Sequence, residues 1–199
     1  MKPIIINGEL FGLDMSISKM AVLGAGQMGN GITQVAACAG IEVVMIDIKQ
    51  EFVDRGIATI EKSLAKLVSK ERMSQEDADS ARAKISTSTE RSVCSDVDLV
   101  VEAVPEILDL KISIFSELDG ICKPDCILAS NTSSISISTI AESTNRPDKV
   151  IGMHFMNPVP IMKLVEVING KDTSEEVTAS VLEAAERMGK IPLMCNDSP

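Results

Sequence analysis

The sequence has no tryptophan, no tyrosine and only four phenylalanines in 199 residues. With so little aromatic area to bury, the core must be aliphatic, helped by eleven methionines. Basic residues are also scarce. Nineteen Lys and Arg stand against 29 Asp and Glu, a formal net charge of -10. Phosphates repel such a surface, which excludes nucleic acid as a partner. No apolar run approaches the roughly 20 residues that span a bilayer, so no membrane helix is expected. The remaining balance, 45% hydrophobic and 24% charged, is that of a soluble globular chain with one large domain or one domain and an appendage.

Only one histidine is present, His154, and five cysteines: Cys38, Cys94, Cys122, Cys126 and Cys195. Cys122 and Cys126 flank Lys123-Pro124-Asp125 as a conceivable clamp, but a second cysteine pair is lacking, so a metal site is not expected. The thiols sit in or beside apolar stretches and are read as reduced and buried, in a cytoplasmic protein. Residues 1–18 form an N-terminal extension. Its one apolar patch, Ile4-Ile5-Ile6, is too short for a signal-peptide core, and Glu9, Asp14 and the lack of arginine argue against a mitochondrial transit peptide. An extra strand, a disordered lead and a cloning remnant all remain open for it.

What is present alternates. Residues 20–23 form an apolar run ending at Gly24, and residues 27–39 carry Met28, Ile32, Val35 and Ala36 at helical spacing before Gly40. Residues 41–48, rich in Val and Ile, follow as a second strand. This is strand, tight turn, helix, strand within about 30 residues, the βαβ unit. Residues 50–70 form a long amphipathic stretch, and residues 74–83 a helix capped by Ser74; together they make a helical arm over about 50–84. Strands are expected at 84–89, 97–101, 126–129 and 149–154, with a helix at 107–121. Beyond His154, the prolines Pro158 and Pro160 make a stiff turn. An extended segment at 162–168, a helix at 173–188 and a strand at 191–194 complete the chain. Such alternation predicts an α/β fold, Rossmann-type and doubly wound on a mostly parallel sheet, filling residues 19–199.

The glycines Gly24-Ala25-Gly26-Gln27-Met28-Gly29 match G-x-G-x-x-G, and they follow a strand and open a helix. Gly24 permits the tight turn, Gly26 lets backbone approach a pyrophosphate, and Gly29 lets helix and strand pack closely. The helix N-terminus, with Gln27 and Met28, then turns its free N–H groups and positive dipole end toward phosphates. Asp47 ends the second strand, where a carboxylate accepts both ribose hydroxyls of an adenosine and repels a 2′-phosphate. NAD rather than NADP is therefore the expected cofactor.

His154 leaves an apolar strand at the edge where a parallel sheet presents its ligands. The plain reading of a lone histidine is structural. Glu166, between β-formers in Leu164-Val165-Glu166-Val167-Ile168, needs a partner, and the proline turn would fold it back beside His154. A His–Glu pair suits alcohol oxidation by NAD, which needs a base for the hydroxyl proton. Ser133, at the same edge, would hydrogen-bond the substrate oxygen or the ribose; the plain alternative for Asn131-Thr132-Ser133-Ser134 is helix capping.

Four segments together resemble one family. They are Val22-Leu23-Gly24-Ala25-Gly26-Gln27-Met28-Gly29, Val101-Glu102-Ala103-Val104-Pro105-Glu106, Ala129-Ser130-Asn131-Thr132-Ser133-Ser134 and His154-Phe155-Met156-Asn157-Pro158. With Met162-Lys163-Leu164-Val165-Glu166-Val167-Ile168 they look like the short-chain L-3-hydroxyacyl-CoA dehydrogenases, and Arg146-Pro147-Asp148-Lys149 onward is similar to the bacterial 3-hydroxybutyryl-CoA branch. The resemblance implies oxidation of L-3-hydroxyacyl-CoA by NAD to the 3-ketoacyl-CoA, in fatty acid or butyrate metabolism. It also implies catalytic roles for His154, Glu166 and Ser133. Around cofactor and reacting centre it implies Glu106, Lys111, Asn131 and Asn157, with Ser133 and Asn157 also touching substrate. Ser63 and Lys70, on the helical arm, match positions that meet CoA.

Two departures stand out. Ile107 follows Glu106 where the family often has Asn or Asp. The sequence also closes on Cys195-Asn196-Asp197-Ser198-Pro199, where the family continues into an all-helical domain that supplies a further active-site Asn, part of the acyl pocket and a homodimer interface. With that domain absent, this chain is expected to bind NADH but to turn over acetoacetyl-CoA poorly. Other readings are a binding module that pairs with a separate helical domain, a related sugar-acid 3-dehydrogenase, and an NAD sensor without catalysis.

Overall fold

A computed structural model of the chain describes residues 4–6, 9–11 and 17–197. Strands β1 (Ile4–Ile6) and β2 (Glu9–Phe11) form an antiparallel hairpin. The main body then runs β3 (Lys19–Leu23), α1 (Gln27–Cys38), β4 (Glu42–Ile46), α2 (Gln50–Ser69), α3 (Gln75–Ala83) and β5 (Ile85–Ser88). It continues with β6 (Leu99–Glu102), α4 (Leu108–Ile121), β7 (Ile127–Ser130), α5 (Ile137–Ala141) and β8 (Val150–Phe155). It closes with β9 (Leu164–Asn169), α6 (Glu175–Arg187) and β10 (Ile191–Asn196).

Eight strands form one sheet in the order β10-β9-β8-β7-β6-β3-β4-β5. From β5 to β8 every pairing is parallel, β9 runs antiparallel to β8, and β10 is parallel to β9. The chain leaves β3 toward β4 on one side and returns to β6 on the other, so the crevice between β3 and β6 is the topological switch point where such sheets bind ligands.

Alternate residues of each strand feed two cores. Met20, Val22, Met45 and Val101 pack under α1, α2, α3 and α6. Ala21, Leu23, Val44 and Val100 pack under α4 and α5. Covered on both faces, β6 and β7 are buried along their whole length, as parallel strands between helix layers must be. The expected arm at 50–84 is the crossover from β4 to β5. Val53, Ile60 and Leu64 of α2, with Ala78 and Ala81 of α3, put its inner face into the first core. Ser74 caps α3 as its sequence context requires, its Oγ accepting from Asp77 N at 3.0 Å.

The structure corrects some expectations. A 3-10 turn at Arg91–Asp96 and the short α5 are too brief for periodicity to reveal. Ile107 is extended, so α4 starts one residue later than its apolar pattern. Not all thiols are buried. Cys94, Cys122 and Cys126 are, but Cys38 near the end of α1 is exposed and Cys195 on β10 is half-buried. Cys38 is the last residue of α1, one past the buried run that ends at Ala37. Among the described residues no helix is long and apolar enough to cross a membrane.

Asp98 ties the start of β3 to the start of β6. Its carboxylate accepts from Ser18 N at 2.8 Å, Lys19 N at 2.9 Å and the Lys123 ammonium at 2.6 Å. Burial opposes its charge, but Lys123 and the two backbone N–H groups outweigh that and hold the carboxyl at about 2. A carboxyl depressed in the folded state adds stability above its ordinary value of 3.8, and that stability fades as pH falls toward about 2. In urea melts across that window, wild type is therefore expected to lose its advantage over Asp98→Asn as pH falls. A constant difference from pH 6 to pH 2.5 would refute this.

Candidate active site

The turn after β3 is built from the glycines. Gly24 has φ +101, and a Cβ there would stand 2.6 Å from Ala103 O. A Cβ on Gly29 would lie 1.7 Å from Gly24 O, so only glycine lets α1 start this close to the strand. Gly26 caps α1 without a side-chain bond, and the first turn carries no acid, so its N–H groups and positive end stay uncompensated. A Cβ on Gly26 would meet nothing within 4 Å, because the space before it is open.

That space is a cavity of about 670 Å³, lined among others by Gly24, Gly26, Asp47, Val104, Arg91 and Glu117. Asp47 accepts from Ala25 N and from Ile48 N, each at 2.7 Å, which fixes its carboxylate at the cavity wall. An uncompensated helix N-terminus, a side-chain-free approach and a fixed acid beside them suit a dinucleotide: pyrophosphate at the helix end, ribose at Asp47. Gln27 and Met28 line the same cavity, and Gln27 Nε2 donates to Asn157 Oδ1 at 3.0 Å, joining this turn to the loop after β8.

The antiparallel turn-back of β9 on β8 sets His154 directly opposite Glu166. Cross-strand neighbours stand close enough for side chains to meet. His154 Nδ1 lies 2.8 Å from Glu166 Oε2, with the two side chains 21% and 33% exposed. Among the described residues Nε2 has no partner. The ring borders two cavities. One, of about 300 Å³, is shared with Met28, Glu106, Asn131, Ser133 and Asn157. The other, of about 160 Å³, is shared with Ser133, Glu166, Cys195 and Asp197. Asn131 Oδ1 accepts from Phe155 N at 2.9 Å and so fixes the end of β8.

Ser133 is held by its backbone. Glu106 Oε1 accepts from Ser133 N at 3.0 Å, Ser134 N at 3.2 Å and the Thr132 hydroxyl. The Ser133 hydroxyl has no partner among the described residues. Burial would raise the Glu106 carboxyl, but Thr132, the Lys111 charge and the Ser133 N–H outweigh it and hold the group at about 2.

Lys111 lies beneath the cleft rather than on it. Only 1% exposed, it donates to Glu102 at 2.7 and 2.9 Å and stands 3.3 Å from Glu106. Glu102 is fully buried and also accepts from Ser130 Oγ at 2.7 Å. Removing one member of such a pair leaves a buried charge and costs about 3–5 kcal/mol. Glu102 was missed as a functional residue in the sequence, although an acid closing the apolar strand Leu99-Val100-Val101 is itself a sign of a buried partner. Asp197 was missed too. Its carboxylate accepts from the N–H and hydroxyl of Ser138, from Ile137 N and from Ser136 Oγ, pinning the end of β10 beside Ser133. Ser63 and Lys70 do not border these cavities. Ser63 is half-buried midway along α2, and Lys70 is exposed just past its end.

A doubly wound sheet with a glycine turn at its switch point, and a histidine–carboxylate pair at the same edge, is the architecture of a dinucleotide-binding domain. The family pattern described as "3-hydroxyacyl-CoA dehydrogenase, NAD binding domain" matches residues 19–198, and the chain belongs to that family. A probable 3-hydroxybutyryl-CoA dehydrogenase of Deinococcus radiodurans is 52% identical over 181 residues, covering 91% of this chain and 65% of the relative. One from Bacillus subtilis is 48% identical over 185 residues, covering 93% and 64%. The crystal structure of (S)-3-hydroxybutyryl-CoA dehydrogenase from Ralstonia eutropha superposes with a TM-score of 0.90 at 46% identity, covering 92% of this chain and 65% of that one. The chain thus spans just under two thirds of these relatives.

Proposed function

We propose that this chain is the NAD-binding part of an enzyme that oxidises L-3-hydroxyacyl-CoA, with 3-hydroxybutyryl-CoA as substrate, to the 3-ketoacyl-CoA. The observation that carries the proposal is the His154–Glu166 pair at 2.8 Å, beside a cavity that runs on toward the glycine turn. NAD, when bound, supplies the hydride acceptor. His154 Nε2 takes the substrate hydroxyl proton, and Glu166 orients the ring and balances the charge it gains. The Ser133 hydroxyl, without a partner among the described residues and held in place through Glu106, donates to the substrate oxygen. Asn157 and Asn131 shape the wall between substrate and cofactor.

Gly24, Gly26 and Gly29 admit the pyrophosphate, and Asp47 holds the adenosine ribose. Glu106 acts at the cofactor through the loop it orders. For Lys111 we favour an indirect role, as counter-charge to Glu102 and Glu106, over direct cofactor contact. Ser63 and Lys70 are assigned to CoA only through the outer half of α2. The whole protein works in the cytoplasm as a homodimer, with residues 1–18 outside the catalytic unit and residues 19–199 as the cofactor domain.

The experiment is a titration of the chain with NADH. With no tryptophan or tyrosine present, all fluorescence change reports the reduced ring. Saturable binding is expected, together with acetoacetyl-CoA-dependent oxidation of NADH once the chain is combined with its helical domain. No binding, or turnover with sugar acids alone, would overturn the proposal.

A further inference from the structure

The cavity beside Asp47 has a second electrostatic feature. Among the described residues, three carboxylates line it, those of Asp47, Glu90 and Glu117, and a single cation, Arg91. Arg91 opens the 3-10 turn just after β5, and Glu117 lies on α4; their side chains form an ion pair across the cavity rim. The Arg91 side is close to Asp47. Ile46 pairs with Ser88 at the ends of β4 and β5, and Asp47 N donates to Ser88 O at 3.4 Å. A guanidinium at this place is the usual counter-charge for a 2′-phosphate. Here it is already matched by a carboxylate.

We propose that Glu117 is a specificity-determining residue, which excludes NADP by engaging the one cation on this wall. Asp47 repels a 2′-phosphate directly, and Glu117 withholds the arginine that would attract it. The inference rests on the reading that Asp47 takes the adenosine ribose, and so it places the 2′ position on the Arg91 side. The pair is 27% and 44% exposed, and surface pairs of this kind contribute about 0–1 kcal/mol, so either partner can be replaced without unfolding the chain. Two other cations lie near Asp47. Arg55 and Lys49 stand over the Phe52 ring at 4.8 and 5.6 Å, on the α2 side, and Arg55 borders the neighbouring cavity with Asp47. They are distinguished from Arg91 by a double-variant cycle.

NADH and NADPH affinities are measured by fluorescence titration for wild type, Glu117→Gln, Arg91→Met and the double variant. Glu117→Gln is expected to raise NADPH affinity relative to NADH by about twofold to fivefold, the worth of a part-exposed ion pair that no longer competes for Arg91. The double variant is expected to return to the wild-type ratio. An unchanged ratio in Glu117→Gln overturns the proposal. So does a gain that survives loss of Arg91, since it would come from Arg55, Lys49 or simple relief of repulsion. If wild type binds no NADH, the dinucleotide reading falls and this proposal falls with it. If wild type binds NADH and the ratio does not move, only the role of Glu117 is lost.

Discussion

Replacing His154 by asparagine is expected to lower turnover by about two to four orders of magnitude, the worth of a positioned general base. NADH affinity should change far less, because the ring borders the reacting cavity and not the glycine turn. The fold should tolerate the change, since the β8–β9 ladder is made by backbone and the side chain is part-exposed. Glu166→Gln is expected to lose less. It keeps an acceptor oxygen near Nδ1 but removes the charge that balances a protonated ring. The measurement is NADH absorbance with acetoacetyl-CoA, on the chain joined to the helical domain proposed to complete it, alongside NADH titration of each variant. Turnover within a few-fold of wild type in His154→Asn would remove the base from the scheme. A parallel loss of NADH affinity would mean the variant had disturbed the cleft rather than the chemistry.

The second large effect is expected from one methyl group. Alanine in place of glycine ordinarily stabilises a helix by up to about 1 kcal/mol. At Gly29 the new Cβ would stand 1.7 Å from Gly24 O, and the helix cannot keep its place. The clash is with backbone, so α1 must move away from β3, and the N–H groups proposed to meet the pyrophosphate move with it. Gly29→Ala is expected to lower the melting temperature by about 5–10 °C, as overpacking strain of a few kcal/mol implies, and to weaken NADH binding by more than about tenfold. Gly120, in the last turns of α4, is the control, for a Cβ there meets nothing within 4 Å. Gly120→Ala should be neutral or mildly stabilising and should leave NADH binding alone. Equal behaviour of the two variants would show that close helix–strand approach at Gly29 is not what the turn requires.

Local physics made much of this molecule legible in advance. The β3–α1–β4 unit rests on steric rules within a few residues: a glycine where φ is positive, a glycine where helix meets strand, an aspartate at the strand end. The period-2 and period-3.6 patterns behind the strands and longer helices are equally local, and those elements fall within a few residues of their expected bounds. Brief elements such as α5 carry too few residues for a period, and they were not foreseen.

The pairing of distant side chains is another matter. That His154 and Glu166, 12 residues apart, face each other depends on the register of β9 against β8, and a slip of one residue would send Glu166 to the other face. That Lys111 is a buried counter-charge, and not a surface lysine reaching into the cleft, depends on Glu102 and Ser130 being carried beneath it by neighbouring strands. Arg91 meets Glu117 across 26 residues and Asp197 meets Ser138 across 59, contacts that exist only once the sheet has closed in its order. Sequence alone determined which segments become the longer strands and helices and which turn has the shape for a nucleotide, because those are matters of neighbouring dihedrals and side-chain spacing. Tertiary structure alone decided which charges meet, because only strand order and register set the distances over which Coulomb and hydrogen-bond forces act.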